Sequence, residues 1–195
     1  AGAIACKILD QLGIKILTYT KSIGDITADP ACFDRSVIME NPFYMPDADA
    51  AKKAGEFLEE CMKNEDSSGG SIECVIQNMP AGIGEPVFEK LSANLGKAIL
   101  SIGAVKAFEI GDGTAVAHAL GHTNNDQYTR DPDGKIIKLT NHSGGILGGI
   151  SDGSAVIFRA AFKPTPSIAK SQETVTKDGE NIDLVIHGRH DPVVV

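Results

Sequence analysis

The stretch 141–153 reads NHSGGILGGISDG and places two glycine pairs, 144–145 and 148–149, around a small apolar cluster. Glycine adopts positive φ angles at no steric cost and lets bare backbone approach a ligand closely. Ile146 and Leu147, between the pairs, would anchor such a loop in a core. The pattern fits either a loop that contacts a flat or phosphorylated ligand or a tightly packed turn. It is not the GxGxxG fingerprint of dinucleotide-binding proteins.

The composition around this stretch is that of a globular protein. The chain has 195 residues, of which 42% are hydrophobic and 23% charged, enough for one domain over residues 1–195 with a sizeable core. A net charge of -8 argues against general nucleic-acid binding, which favours basic patches. No apolar run reaches membrane-spanning length, so we expect neither a nucleic-acid nor a membrane partner.

The cysteines indicate the compartment. No two of them are in CxxC spacing, so a disulfide framework or a zinc site is not expected. Reduced thiols, buried or half-buried in the core, fit a cytoplasmic protein. The four are Cys6, Cys32, Cys61 and Cys74.

Hydrophobic spacing predicts a mixture of helices and strands. The predicted helices are 1–12, 48–63 capped by Asp47, and 86–102 opened by Pro86, with Phe88, Leu91, Leu95, Ile99 and Ile102 as the buried stripe of the last. The predicted strands are 14–20, 71–78, 104–113 and 154–162, followed by a hairpin over 171–186, whereas 22–48 and 121–142 look like loops. The lack of regular βαβ alternation favours the α+β class over a doubly wound sheet.

Two further segments concentrate polar groups. In 161–168, AFKPTPSI, two prolines stiffen the backbone beside a lysine and two hydroxyls, which fits a phosphate-holding platform or a rigid connector. In 187–192, HGRHDP, Arg189 lies between two histidines and is followed by Asp191, which fits an anion site or a surface turn. The remaining histidines have no metal-ligand spacing, and we expect them to be non-catalytic: His118, His122 and His142.

Seven segments, taken in chain order, resemble chorismate synthase. They are AGAIACKIL, DSSGGSIEC, GIGEPVFEKL, SIGAVKAFEIGDG, NHSGGILGGISDG, FKPTPSI and GRHDP. Together they extend over essentially the whole chain, and their order matches that of the family. No single motif decides the matter, but seven in register make coincidence a poor explanation.

The resemblance implies a function and a fold. The family converts 5-enolpyruvylshikimate 3-phosphate to chorismate and phosphate by a 1,4-anti elimination, the last step of the shikimate pathway, which supplies aromatic amino acid biosynthesis. It needs reduced FMN, although the reaction has no net redox change, and NADP belongs to the same expected chemistry. The implied fold is an α+β sandwich of antiparallel sheets and helices, assembled as a homotetramer.

The resemblance also implies which residues contact FMN. Gly148 of the second glycine pair matches a flavin-contacting position. The other matching positions are Gly103, Ala104, Lys163, Pro164, Thr165, Pro166, Ser167 and Arg189. The family has Asn-Ala where this chain has Gly103-Ala104, so a side-chain amide is missing there.

The catalytic machinery of the family is not expected in this chain. None of its five histidines matches the family's two catalytic histidines, so we predict no catalytic residue here. We expect a core fragment that is inactive alone. The alternatives are a non-catalytic FMN-binding or oligomerisation module and, more remotely, an unrelated phosphate-binding enzyme that uses His187, Arg189, His190 and Asp191.

Overall fold

The computed structural model describes residues 2–188 and 191–195. The α-helices are α1 (Gly2–Gln11), α2 (Ala48–Lys63), α3 (Leu91–Leu100) and α4 (Gly121–Asn124), and 3₁₀ helices occupy Pro30–Cys32, Arg35–Met39 and Gly113–His118. The strands are β1 (Lys15–Ile23), β2 (Ile26–Thr27), β3 (Gly70–Gln77), β4 (Val105–Ile110), β5 (Tyr128–Arg130), β6 (Ile136–Lys138), β7 (Ile146–Leu147), β8 (Ile150–Ser151), β9 (Val156–Phe162), β10 (Gln172–Val175) and β11 (Asn181–Leu184).

The strands form one larger sheet and three small hairpins. The larger sheet has the strand order β2-β1-β3-β9-β4, and the hairpins pair β5 with β6, β7 with β8 and β10 with β11. All three hairpins are antiparallel, as is the pairing of β1 with β2. The predicted α+β class, with antiparallel sheets and helices, is confirmed.

The chain divides into two compact units. Residues 1–18 and 73–160 form the first, and residues 19–72 and 161–195 form the second. The buried core of the first consists of Ile14, Cys74, Ile76, Ile146, Val156 and Phe158, with Leu91, Leu95 and Ile99 of α3 packed against it. The buried core of the second consists of Ile23, Ala28, Met45, Ala50, Ala51, Ala54 and Leu58.

Helix α2 confirms the sequence prediction at both ends. The Asp47 side chain caps it, accepting hydrogen bonds from the backbone N–H groups of Asp49 at 3.0 Å and Ala50 at 3.1 Å. Such a cap satisfies N–H groups that have no partner within the helix. The bond from Ala50 and a further one from Asp29 lower the pKa of Asp47 despite its burial. On the inward face, Ala54 and Leu58 are buried.

Three predicted elements differ from the observed ones. The helix expected from Pro86 begins at Leu91, because Val87 has a φ of +63° and the backbone N–H of Glu85 donates to the carbonyl of Glu89 at 3.0 Å in a turn. Phe88, expected in its buried stripe, is 86% exposed, and Ile102 is also exposed. The segment 121–142, expected to be a loop, contains α4 and the β5–β6 hairpin. The segment 22–48 contains β2 and two 3₁₀ helices.

The prediction for the cysteines was wrong for two of them. Cys74 is buried and Cys61 half-buried, but Cys6 and Cys32 are exposed. Cys6 belongs to α1, which buries none of its residues.

Among the described residues, no helix is long and apolar enough to cross a membrane. Within the same residues, no cluster of histidine, cysteine or carboxylate side chains could hold a metal ion.

Candidate functional site

The second glycine pair forms the turn of a two-residue hairpin. Leu147 at the end of β7 pairs with Ile150 at the start of β8, so residues 148 and 149 alone connect the strands. Their φ angles are +60° and +91°. A turn with positive φ at both central residues matches the right-handed twist of the strands it joins, and glycine is the residue that adopts it most readily.

Packing explains three of the four paired glycines but not Gly148. A Cβ on Gly145 would lie 2.5 Å from the carbonyl oxygen of Ala155, and one on Gly144 would overlap the backbone of Gly111. A Cβ on Gly149 would overlap the Lys90 side chain. At Gly148, which is exposed, a Cβ would have no atom within 4 Å. The turn therefore presents open backbone at the residue that the resemblance assigns to the cofactor.

The hairpin is fixed to the segment that leads into α3. The backbone N–H of Leu91, the first residue of α3, donates to the carbonyl of Gly149 at 2.7 Å. The buried hydroxyl of Ser151 accepts from the N–H of Ile83 at 2.8 Å and donates to the carbonyl of Pro80 at 2.6 Å. These bonds hold both the turn and the outgoing strand.

A buried ammonium lies next to the two ends of the same hairpin. The side chain of Lys138, at the end of β6, is only 3% exposed, and its Nζ lies 2.8 Å from Asp152 Oδ2 and 3.1 Å from Asp126 Oδ2. It also donates to Ser143 Oγ at 2.8 Å and to Asn141 Oδ1 at 3.0 Å. Sequence reasoning missed this cluster because 121–142 looked like a polar loop. The signal was a lysine at the end of an apolar run, IIK, shortly before the glycine stretch.

The cluster holds its charges at neutral pH. Burial alone would raise the pKa of Asp126, but hydrogen bonds from the N–H groups of Ser143 and His142 and from the Thr140 hydroxyl outweigh it and lower that pKa strongly. Burial likewise opposes the charge of Lys138, yet the carboxylates of Asp152 and Asp126 raise its pKa. The pKa of Asp152 is lowered in turn by Lys138 and the N–H of Ser154, against its own burial. All three groups stay ionised around pH 7.

Gly103 and Ala104 lie at the other end of α3 from the hairpin. They follow its last turn, whereas Gly149 contacts its first residue, so ten residues of helix, about 15 Å, separate the two places. Ala104 has a φ of +70°, a strained conformation for a residue with a side chain. A Cβ on Gly103 would have no atom within 4 Å, so no close packing requires glycine there.

The segment 163–167 belongs to the second unit and lies against residues 67–69. Ser67 Oγ donates to the carbonyl of Thr165 at 2.7 Å. A Cβ on Gly69 would lie 2.7 Å from the carbonyl oxygen of Phe162, so glycine is required for this close approach. Near the end of the segment, Lys170 forms an exposed ion pair with Asp66 at 3.3 Å.

Lys163 carries the free charge of this segment. Its Nζ makes a single long contact, 3.4 Å, with the carbonyl of Pro164. None of the ion pairs among residues 2–188 and 191–195 involves it. An unpaired ammonium just before two prolines is suited to bind an anion such as a phosphate.

The remaining candidate residues divide into two groups. Arg189 and His190 lie outside the described residues, so the structure neither supports nor opposes the HGRHDP hypothesis. Of the other histidines, His142 has a partner that sequence reasoning missed: its Nδ1 lies 2.6 Å from Asp112 Oδ2, and the N–H of Asp112 donates to the His142 carbonyl at 2.9 Å. This pair braces the start of the glycine stretch.

The chain matches known proteins over its whole length. The family model described as "Chorismate synthase" matches residues 1–195. The chorismate synthases of Lachnoclostridium phytofermentans and Agathobacter rectalis are 62% and 61% identical over 195 residues, which is 100% of this chain and 53% of each relative. A solved structure, "Crystal Structure of Chorismate Synthase", matches 84% of this chain and 53% of its own, with a TM-score of 0.77 and 26% identity. The chain thus spans about half the length of the relatives it matches.

Proposed function

The chain belongs to the chorismate synthase family, and on that premise we propose that the whole protein carrying it converts 5-enolpyruvylshikimate 3-phosphate to chorismate and phosphate. The proposed reaction is a 1,4-anti elimination that requires reduced FMN. In this proposal the 195 residues supply much of the FMN platform and none of the catalytic acids or bases. By themselves they are inactive.

The observation that supports this role is the open backbone at Gly148. Its three partner glycines are accounted for by close packing, whereas Gly148 keeps a φ of +60° beside empty space. A side chain at that turn would project outward and obstruct a planar ligand lying on the hairpin. The positive φ of the turn already favours glycine at this position. The empty space beside it leaves the backbone open to a planar ligand, in agreement with the contact that the family resemblance implies for Gly148.

The other assigned residues have chemistry that fits FMN. Lys163 offers an ammonium for an anionic group, and Pro164 and Pro166 keep the backbone around Thr165 and Ser167 rigid. When bound and reduced, FMN supplies electron density transiently as the allylic C–O bond of the substrate breaks. The task of these residues is to bind and orient. Arg189, assigned in the same way, would add a planar group suited to phosphate.

A flavin titration of matched glycine variants tests the proposal. We expect the chain to quench flavin fluorescence saturably, and Gly148→Ala to weaken FMN binding by about tenfold or more, because the new methyl group lies where the ligand approaches. Gly179→Ala is the control: Gly179 has a φ of +87°, also has open space around its Cβ position, and lies in the exposed β10–β11 turn. Equal affinities for the two variants would contradict the assignment of Gly148.

The missing family asparagine provides a gain-of-function test. A Cβ at position 103 meets no atom within 4 Å, so Gly103→Asn introduces the amide without a clash at its first side-chain atom. We expect the substitution to tighten FMN binding by about threefold to tenfold, the range of one added hydrogen bond. Unchanged or weaker binding would remove Gly103 from the proposed site.

Turnover tests the whole reaction. With reduced FMN, the whole protein should release phosphate from 5-enolpyruvylshikimate 3-phosphate, and the 195-residue chain should release none. An inactive whole protein would overturn the proposed activity. Phosphate release by the isolated chain would show that its own residues include the acid and base.

We also propose that the whole protein is a cytoplasmic homotetramer whose flavin chemistry is linked to NADP. The start of the chain favours assembly, because Ile4 and Ile8 of α1 and Leu12 just after it are 68%, 57% and 69% exposed. Exposed apolar faces are typical of interaction sites. Light scattering of the whole protein tests the tetramer. The alternative, a non-catalytic FMN-binding or oligomerisation module, would be favoured if the chain binds FMN or assembles while the whole protein releases no phosphate.

A further inference from the structure

The buried ammonium of Lys138 has more partners than it has hydrogens. It has three N–H donors and lies 2.8–3.1 Å from four acceptors, the side chains of Asp126, Asn141, Ser143 and Asp152. No described side-chain nitrogen or oxygen buried in the structure lacks a hydrogen-bond partner. The network is fully satisfied, which makes it rigid as well as charged.

The partners of Lys138 lie on both sides of the glycine hairpin. Asn141 and Ser143 come before β7, and Asp152 follows β8, so one ammonium joins the two ends of the stretch. We call Lys138 and its partners Asp126, Asn141, Ser143 and Asp152 the brace. Two of these partners also bond the backbone of the glycine stretch: Asn141 Oδ1 accepts from the N–H of Gly145 at 2.8 Å, and the N–H of Asp152 donates to the carbonyl of Gly145 at 3.0 Å. Lys138 therefore contributes to fixing the path of the chain into and out of the turn.

Asp126 connects the brace to the β5–β6 hairpin. Its Oδ1 accepts from the Thr140 hydroxyl and the N–H of His142, both at 2.7 Å, and its Oδ2 accepts from the N–H of Ser143 at 3.1 Å. These bonds fix residues 140–143 to Asp126. A single carboxylate thus orders the connection between the two hairpins.

Stability alone is a poor explanation for such a cluster. Replacing buried ion pairs by apolar residues of similar volume is often neutral or stabilising, because the desolvation of the charges offsets their attraction. What the charges add is a defined geometry, since an ammonium satisfies several acceptors only in one arrangement. That arrangement joins the two ends of the hairpin whose turn leaves the backbone of Gly148 open.

We propose that Lys138 is a positioning residue for cofactor binding: its ammonium braces the 141–152 segment so that the Gly148-Gly149 turn is held in the conformation that binds FMN. Lys138 acts through the hairpin and does not contact the ligand. This inference rests on the proposed function, in which Gly148 contacts FMN.

Hydrogen exchange tests the brace without any cofactor. In Lys138→Met, a neutral side chain of similar length, we expect the amides of Gly145 and Asp152 to exchange about tenfold or more faster, while that of Ala51 in α2 is unchanged. Lys138→Arg, which restores the charge, should return the rates to within about threefold of the original. Lys15→Met is the control, because Lys15 forms an exposed ion pair with Asp10 in the same unit.

FMN affinity of the same variants tests positioning. We expect Lys138→Met to weaken binding by about tenfold, Lys138→Arg to restore most of the affinity, and Lys15→Met to change nothing. If Lys138→Met fails to fold, Asp152→Asn removes one charge and leaves Asp126 paired. In that variant we expect about threefold faster local exchange and about threefold weaker binding.

The outcomes separate the two proposals. Unchanged exchange at Gly145 and Asp152, or exchange that rises equally at Ala51, would overturn the brace whether or not FMN binds. Faster local exchange with unchanged FMN affinity would overturn the positioning role and leave the proposed function standing. If the unsubstituted chain shows no saturable FMN binding, the proposed function is contradicted. The hydrogen-exchange rates would then test only whether Lys138 holds the hairpin in place.

Discussion

The glycine hairpin at 146–151 and the segment 163–167 are both assigned to the cofactor, but different interactions fix them in place. At the ends of the hairpin, the Lys138 side chain, which is 3% exposed, pairs with the buried carboxylates of Asp126 and Asp152. Beside 163–167, the Ser67 hydroxyl donates a hydrogen bond to the Thr165 carbonyl. The nearby ion pair joins Lys170 and Asp66, whose side chains are 58% and 41% exposed. The first arrangement depends on buried charge, and the second depends mainly on proline stiffness. The two regions should therefore respond very differently to single substitutions.

The largest effect is expected from removing one buried carboxylate. Asp126→Asn leaves Lys138 with less compensation in a buried site, and breaking such a pair typically costs about 3–5 kcal/mol of unfolding free energy. The matched change at the surface, Asp66→Asn, should cost less than about 1 kcal/mol. Urea unfolding of both variants measures the difference. Equal losses would mean that the buried cluster is no more important to folding than a surface pair.

Glycine substitutions compare two positions within the hairpin. Gly145→Ala combines a φ of +78° with a Cβ only 2.5 Å from the Ala155 carbonyl oxygen, so we expect a loss of more than about 2 kcal/mol. Gly148→Ala meets no atom and should cost only the backbone term of about 1 kcal/mol. The midpoints of urea unfolding provide the test. A Gly148 variant as destabilised as the Gly145 variant would show that packing, not ligand approach, requires Gly148.

Acid should weaken the glycine-hairpin region as its carboxylates become protonated. The pKa values of Asp126 and Asp152 are lowered from the usual 3.8 in the folded chain, so the stability they contribute is complete above that value. It is lost as the pH falls from 3.8 through the folded-state pKa values, because protonation is then favoured in the unfolded chain. Unfolding free energies measured between about pH 6 and pH 2 should fall more gently in Asp126→Asn. Parallel curves would place the acid-sensitive groups elsewhere.

The smallest specific effect is expected at Ser67. Ser67→Ala deletes the hydroxyl bond to the Thr165 carbonyl and should cost about 1 kcal/mol of unfolding free energy. If the proline segment depends on that anchor, FMN affinity should fall with it, whereas an affinity independent of Ser67 would show that Pro164 and Pro166 are sufficient. Ser101→Ala is the control, because its hydroxyl bonds a helical carbonyl of α3 and lies on the surface.

Local signals in the sequence predicted much of the fold. Helix α2 was predicted with its observed bounds, since Asp47 and the apolar spacing after it act within a few residues. The β10–β11 hairpin was predicted from the Lys177-Asp178-Gly179 turn. Both elements are determined by interactions between near neighbours, which a sequence displays directly.

The misjudged elements depend on distant partners. Leu91 begins α3 after the local turn at 85–89, and its N–H bonds the carbonyl of Gly149, a residue 58 positions later, so the hairpin also contributes to where this helix starts. The segment 121–142 looked like a loop because most of its residues are polar. Asp126 and Lys138 are nevertheless buried against each other and Asp152, and only the folded chain brings them together. Gly148 was assigned by resemblance, and the structure adds that no neighbouring atom occupies the space beside it.

The burial of Lys138 has a consequence for chemical labelling. Reagents that acylate amines need access to a deprotonated nitrogen, and this one is shielded and has a raised pKa, whereas Lys15 and Lys170 are more than half exposed. Lys138 should therefore be among the slowest lysines to react under native conditions. Because Lys138 becomes accessible only when the glycine hairpin opens, its labelling rate would measure how often that opening occurs. Mass spectrometry of the single peptide that contains Lys138 would provide this rate.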